Sequence, residues 1–166
     1  MTVELGDVTP RAQVGVRLYD PAAAAPALRL PLEPNRVLTE NGRSALWLGP
    51  DEWLVVGESA NALRLPEGAG SLVDLSANRV VLELRGPSAR DVLAAGCALD
   101  LHPRAFGPGR CAQTLLARAA VILEQTSGEP AYRIYVRPSF AGYLTDWLRD
   151  AAPAPAQADP SRSSAR

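Results

Sequence analysis

The sequence contains no lysine and few of the residues that most often perform chemistry. Its 166 residues include one histidine, two cysteines and 17 basic residues, all of which are arginine. Such a chain supplies no Schiff-base amine, no phosphate-loop lysine and no lysine general base. Arginine always carries charge and binds carboxylates through paired hydrogen bonds, which suits protein interfaces. A genome rich in G and C is the simpler explanation of this usage.

Net charge and aromatic content are also low. The formal net charge is −1, and only 5% of the residues are aromatic although 47% are hydrophobic. The core must therefore be built mainly from Ala, Val and Leu. A nearly neutral chain has no long-range field that attracts nucleic acid or an anionic membrane. We expect no secretory signal, and the sequence contains no run of about 18 apolar residues. We expect a cytoplasmic protein with reduced thiols that binds neither nucleic acid nor membranes.

The residues that could carry chemistry form no known motif. Cys97, His102 and Cys111 lie close in sequence, but their spacing matches no zinc site. No serine lies in a Gly-x-Ser-x-Gly motif, and 68–70 lacks the third glycine of a nucleotide-binding loop. We expect Asp74 to be a turn residue that bonds its own backbone. No catalytic or metal site is predicted.

The clearest structural signal lies between Val80 and Gly96. Residues 80–84 form a short apolar run interrupted only by Glu83, which predicts a buried strand. Gly86-Pro87 ends the strand, because proline donates no backbone hydrogen bond but suits the first turn of a helix. Apolar residues at helical spacing then predict a helix that ends at Gly96.

Weaker patterns predict the remaining elements. We expect strands at 14–19, 112–117, 119–125 and 132–136, a hairpin over 45–57, a short helix from Ser59 to Leu65 and a last helix from Pro138, whose apolar stripe is Phe140, Leu144, Trp147, Leu148 and Ala151. Residues 1–13 are expected to be loosely held. The order from Val80 is β-α-β-β-β-α, which predicts an α+β fold of two small subdomains, mainly antiparallel sheet with helices on one face. One domain spans 1–152 with a joint near 66–72, and 153–166 is expected to be a disordered tail.

Three groups of segments, in this order and spacing, resemble the gamma subunit of heterotetrameric sarcosine oxidase. They are Trp47-Leu-Gly-Pro-Asp-Glu-Trp-Leu54; Asp74-Leu-Ser76 with Leu84-Arg-Gly-Pro-Ser-Ala-Arg-Asp-Val-Leu93, Gly96-Cys97 and Leu99-Asp-Leu101; and Ser139-Phe-Ala141 with Tyr143-Leu144 and Trp147-Leu148. The similarity covers 45–152. It implies a fold like that of the folate-binding aminomethyltransferases.

The resemblance also implies a role in assembly. In that family FAD, FMN, NAD, zinc and tetrahydrofolate belong to the other subunits, so this chain is expected to be a non-catalytic partner of alpha, beta and delta subunits. The aminomethyltransferase motif Gly-Tyr-Thr-Gly-Glu is reduced here to Gly128-Glu129, so Glu129 is expected to be a turn residue. The alternatives are the matching subunit of an N-methylglutamate or other N-methyl amino acid dehydrogenase, and a stand-alone folate-binding or aminomethyl-transfer protein that uses Glu129 or Asp100.

Four residues are candidates for the contact with a partner. Tryptophan and arginine are enriched among the residues that dominate binding energy, which selects Trp53, Arg79, Arg90 and Arg137. The simpler interpretation of Trp53 is ring packing with Trp47 across the predicted hairpin.

Overall fold

The computed structural model describes residues 3–7 and 12–152, which form two five-stranded antiparallel sheets. The strands are β1 (Glu4–Asp7), β2 (Gln13–Leu18), β3 (Val37–Glu40), β4 (Arg43–Gly49), β5 (Glu52–Val56), β6 (Gly70–Asp74), β7 (Val80–Arg85), β8 (Arg110–Leu116), β9 (Ala119–Ser127) and β10 (Ala131–Val136). The first sheet has the order β3-β4-β5-β2-β6, and the second has the order β1-β7-β10-β9-β8. The α+β fold with antiparallel sheets is thereby confirmed. The expected disordered tail at 153–166 lies outside the described residues.

Three helical segments complete this part of the chain, and none is long and apolar enough to cross a membrane. They are the single turn α1 (Pro21–Ala24), α2 (Ala89–Ala94) and α3 (Pro138–Ala151). Gly86, with φ 116°, lets the chain leave β7 and enter α2 at once. Pro138 opens α3, where its missing backbone donor leaves no intrahelical bond unmade. The predicted order β-α-β-β-β-α from Val80 is confirmed.

The two sheets pack face to face, and each also buries its other face. Leu46, Leu54 and Val56 of the first sheet meet Val81, Cys111, Ile122 and Tyr135 of the second in the cluster between them. The outer face of the second sheet packs under α2 and α3. The outer face of the first sheet has no helix of comparable length, and connecting segments that carry Leu28, Leu30 and Leu63 cover it instead. Both sheets are therefore closed in by their own chain over most of their area.

The predicted hairpin is confirmed as β4 and β5, with Trp47 directly opposite Trp53. Trp53 is completely buried, with 0% of its surface exposed. Its indole N–H donates to the carbonyl of Pro31 at 2.7 Å, so the segment that covers the first sheet also satisfies the buried donor.

Two local predictions, those for Ser59–Leu65 and for the segment before Gln13, are wrong. Ser59–Leu65 is not a helix but a turn, closed by the Ala62 amide donating to the Ser59 carbonyl at 3.0 Å, because Leu63 has to reach the core of the first sheet. Within the segment expected to be loose, Glu4–Asp7 pairs with β7 as an edge strand. The region proposed as a joint, 66–72, overlaps β6, which pairs with β2, and the chain crosses between the sheets at 75–79.

Candidate functional site

The face of the second sheet that is turned toward the first, here called the inner face, carries three rows of side chains. The rows follow from the strand register, because alternate residues of a strand share one face. A polar row contains Cys111, Glu124, Arg133 and Glu83; a covered row contains Gln113, Ile122, Tyr135 and Val81; an open row contains Leu115, Ala120, Arg137 and Arg79.

The polar row buries charge between the sheets. Glu124 is 2% exposed and accepts a 2.6 Å hydrogen bond from the Tyr135 hydroxyl. Next along the row, the Arg133 Nε lies 3.7 Å from a carboxylate oxygen of Glu83. A cavity of about 170 Å³ opens beside these groups and is lined by Thr39, Gly109, Glu124, Gln125, Thr126 and Arg133. Burial and the neighbouring Glu124 both raise the pKa of Tyr135 well above its ordinary value, so its hydroxyl remains a donor.

Cys111 ends the polar row as a thiol and not as a thiolate. Burial, and then the negative charge of Glu124, raise the pKa of Cys111 to about 12. Its sulfur lies 3.4 Å from the carbonyl oxygen of Trp47, which orients the S–H as a donor. A thiol with this pKa is not a nucleophile at neutral pH, so the polar row is suited to holding the two sheets together.

Three of the four residues of the covered row are buried by the first sheet, and Gln113, on the edge strand β8, is exposed. Ile122, Tyr135 and Val81 belong to the cluster between the sheets. The Gln113 side chain donates to the Leu48 carbonyl at 2.8 Å, which ties the edge of the second sheet to β4. Every residue of this row therefore has its contacts within the chain.

The open row lies beyond the area that the first sheet covers. Leu115 pairs with Ala120, and continuing the pairing of Val136 with Val121 and Val80 by one residue brings Ala120, Arg137 and Arg79 side by side. Leu115 is 59% exposed although it is on the inner face. Ala120 and Arg137 are exposed, and Arg79 is half-buried. The inner face is thus left uncovered at this end.

Two arginines face each other in the open row. Partial burial, and then the charge of Arg137, lower the pKa of Arg79, and the attraction of Glu52 opposes them. Glu52 is itself bound to Arg17 at 2.8 Å. Within the described part of the chain, neither Arg79 nor Arg137 has an ion pair or a side-chain hydrogen bond. The open row therefore carries concentrated positive charge next to exposed apolar surface.

The four residues predicted as partner contacts do not form one surface. Arg79 and Arg137 come together in the open row, but Arg90 lies on α2, across the second sheet. There its positive charge opposes the burial that raises the pKa of Tyr132. Trp53 is enclosed in the core of the first sheet and leaves no surface for a partner. For Arg79, Arg90 and Arg137, a contact with a partner stays a prediction.

Residues considered for cofactors or metals have local structural contacts. An Asp74 carboxylate oxygen accepts from the Ser76 amide at 2.9 Å, as expected for a turn. Asp100 likewise accepts from the His102 amide at 2.9 Å, and His102 Nδ1 accepts from the Arg104 amide at 3.2 Å. In the described ranges, no three His, Cys, Asp or Glu residues are grouped as a metal site would require.

Glu129 lies in the turn before β10, beside a groove of about 490 Å³. The groove is lined by Arg85, Gly86, Pro87, Thr126, Ser127, Glu129, Pro130 and Ala131. None of these side chains is aromatic, so a flat ring bound there would have no ring to stack on. Glu129 itself is exposed.

The sequence predicts Glu124, Tyr135, Leu115 and Ala120 only as strand residues and assigns them no role. A signal for Glu124 exists, because a carboxylate that follows Val121-Ile122-Leu123 in one strand must either find a partner or end the strand. The exposure of Leu115 has no sequence signal, because it depends on where the first sheet stops.

Comparison with known proteins first identifies the class of fold. The glycine cleavage system aminomethyltransferase T from Bartonella henselae matches with a TM-score of 0.62 at 19% identity, over 88% of this chain and 45% of that one. At this identity the likeness concerns the fold alone.

Sequence comparison then gives the family. The model of the sarcosine oxidase gamma subunit family matches residues 18–154. Sarcosine oxidase subunit gamma from Corynebacterium sp. (strain U-96) is 41% identical over 90% of this chain and 78% of its own, and the Arthrobacter sp. protein is 40% identical over 90% and 79%. A chain of the heterotetrameric sarcosine oxidase from Corynebacterium sp. U-96, solved in complex with pyrrole 2-carboxylate, superposes with a TM-score of 0.80 at 41% identity, over 90% of this chain and 83% of that one. The chain belongs to the sarcosine oxidase gamma subunit family.

Proposed function

We propose that this chain is a non-catalytic structural subunit of a heterotetrameric sarcosine oxidase. Such an enzyme oxidatively demethylates sarcosine to glycine and transfers the one-carbon unit to tetrahydrofolate. One observation carries the proposal, namely the 41% identity, over 90% of this chain, with a chain of a solved heterotetrameric sarcosine oxidase. A structural role is supported by the state of the chain's own groups, because Cys111 is held as a thiol and Asp74 and Asp100 are used in turns.

The partners under this proposal are alpha, beta and delta subunits in the cytoplasm. We assign FAD, FMN, NAD, zinc and tetrahydrofolate to those subunits and none of them to this chain. The groove beside Glu129 supports this division for folate, because its lining offers no aromatic side chain for a pterin. The chemistry then takes place elsewhere in the complex, and this chain contributes binding surface.

Purification of the complex tests the proposal. The chain is expressed with an affinity tag in its native host, washed with salt, and whatever remains bound is identified by mass spectrometry and by the flavin absorbance. We expect flavin-containing partner subunits and sarcosine-dependent oxidase activity in the eluate. A clean monomer would contradict the proposal.

Two further measurements distinguish the alternatives, an assay of the same eluate and a titration of the isolated chain. Activity with N-methylglutamate in place of sarcosine would make the chain the matching subunit of another N-methyl amino acid dehydrogenase. Calorimetric titration of the isolated chain with a folate analogue addresses the stand-alone folate protein. We expect no heat of binding, and micromolar affinity would reassign the chain to that class.

A further inference from the structure

The open row is a part of the inner face that this chain does not cover. In packed sheets the inner-facing residues are normally buried in the common core. Leu115 is at such a position and is 59% exposed, while Ile122 and Val81 of the neighbouring row are buried. Cover is therefore missing over the row that contains Leu115, Ala120, Arg137 and Arg79, and on the edge strand β8 it is already incomplete at Gln113.

The charge of the open row is also unbalanced. Like charges directly opposite each other on neighbouring strands are unfavourable. Burial is the largest cause that lowers the pKa of Arg79, and the charge of Arg137 lowers it further. Glu52, the acidic residue that acts on Arg79, is already bound to Arg17, which also pairs with Asp51 at 3.1 Å. Within the described ranges, no carboxylate of the chain pairs with either arginine. A carboxylate placed between the two guanidinium groups would remove the repulsion and accept paired hydrogen bonds.

We propose that the open row binds a segment of a partner subunit that places an Asp or Glu carboxylate between Arg79 and Arg137 and an apolar side chain against Leu115 and Ala120. This inference rests on the proposed function, because it takes the occupant to be another subunit of the oxidase. Charge complementarity selects the carboxylate, and the exposed leucine at a core-facing position selects the apolar neighbour.

The test measures assembly of the tagged full chain co-expressed with its partner subunits. Arg137→Glu is compared with Arg104→Glu, since Arg104 is also exposed and forms no ion pair with the described residues. We expect Arg137→Glu to lower the affinity for the partners about tenfold or more and Arg104→Glu to leave it unchanged. Leu115→Ala is compared with Leu32→Ala, at a leucine that is 49% exposed elsewhere, and is expected to weaken binding about threefold or more.

A second variant separates binding from folding. Arg79→Gln with Arg137→Gln removes the repulsion, so the thermal midpoint of the free chain should stay unchanged or rise while binding of the partners weakens. The wild-type complex should also dissociate more readily as salt is added, and the double variant should lose most of that dependence.

The outcomes distinguish this inference from the proposed function. If the wild-type chain retains its partners and the Arg137→Glu and double glutamine variants retain them equally well, the open row is not the interface, although the subunit role stands. A large fall in the midpoint of the double glutamine variant would also overturn the inference, because the pair would then stabilise the fold. If the wild-type chain retains no partner, the proposed function fails, and this inference fails with it.

Discussion

Replacement of Gly96 by alanine tests the packing that holds α2 and α3 on the second sheet. Gly96 lies just beyond α2, and a Cβ atom placed on it would lie 2.5 Å from Cζ2 and 2.6 Å from Cη2 of Trp147. It would also lie 3.2 Å from the amide nitrogen of Ala117. Because the indole is rigid and the amide is backbone, neither neighbour can move aside freely. We expect the substitution to force the last helix away from its site.

The magnitude follows from two opposing effects. Adding a methyl group to a tightly packed site costs about 1–3 kcal/mol. The lower backbone entropy of the unfolded alanine chain returns about 0.4–1 kcal/mol, since Gly96 is not among the glycines with a positive φ. A net loss of about 1–2 kcal/mol corresponds, for a domain of this size, to a fall in Tm of about 2–8 °C.

Urea denaturation followed by circular dichroism provides the measurement, with Gly142→Ala as the matched control. Gly142 lies within α3 and has open space where its Cβ would be, so alanine there should stabilise the chain by up to about 1 kcal/mol. The cost of Gly96→Ala should largely disappear when it is combined with Trp147→Leu, which removes the clashing ring. An equal cost with and without the tryptophan would refute the packing explanation.

Three further predictions concern buried polar groups. Tyr135→Phe removes the 2.6 Å hydrogen bond from the Tyr135 hydroxyl to the buried Glu124 carboxylate and should lower the free energy of unfolding in urea by about 1–3 kcal/mol. Tyr143→Phe, at an exposed tyrosine, should change it by under about 0.5 kcal/mol, and equal effects would contradict the role of the bond. Trp53→Phe removes the donor to the Pro31 carbonyl and should cost about 1–3 kcal/mol, and a cost no larger than that of Trp47→Phe would be evidence against it. Cys111, whose pKa is raised from 9.0 to about 12, should resist a thiol reagent at pH 8 in the folded chain, and rapid labelling there would show that it is accessible. The contribution of Cys111 to stability should be lost as the pH rises from about 9 towards 12, because the thiol of the unfolded chain ionises first.

The part of the fold after Val80 could be predicted from the sequence because its strands are covered on both faces. The contiguous run Val121-Ile122-Leu123 in β9 supplies both the layer under the helices and the layer between the sheets. Strands with this environment contain few polar residues, so the apolar pattern identifies them. The Gly86-Pro87 step adds a local backbone signal that does not depend on packing.

The missed strands are at or near sheet edges, and the pattern there is weak for a physical reason. Glu4–Asp7 and Gly70–Asp74 each pair with one neighbour only, and their stability in the sheet comes from backbone hydrogen bonds that any side chain permits. Their exposed side chains carry no alternation that distinguishes a strand from a loop. These segments form strands because they pair with a neighbouring strand of the sheet, and that pairing cannot be seen in their own sequence.

For Trp53, a residue predicted to contact a partner, the sequence likewise does not show where the contact lies. The residue type indicates a large contribution to some contact, but it does not indicate whether the contact lies inside or outside the chain. The carbonyl of Pro31 reaches the indole from a segment 22 residues away, and Leu28 and Leu30 close the core around it. The alternating leucines of that segment were visible in the sequence, but its destination was not.

The open row follows from the same alternation that produces the core. Cys111, Gln113 and Leu115 are successive inner-facing residues of β8, and they differ only in how far the first sheet extends over them. Cys111 is completely buried, Gln113 reaches across to β4, and Leu115 extends beyond that cover. The two opposed arginines beside this leucine do not help the free chain to fold, because like charges opposite each other are unfavourable. The arrangement is accounted for if another subunit completes the sandwich at this end.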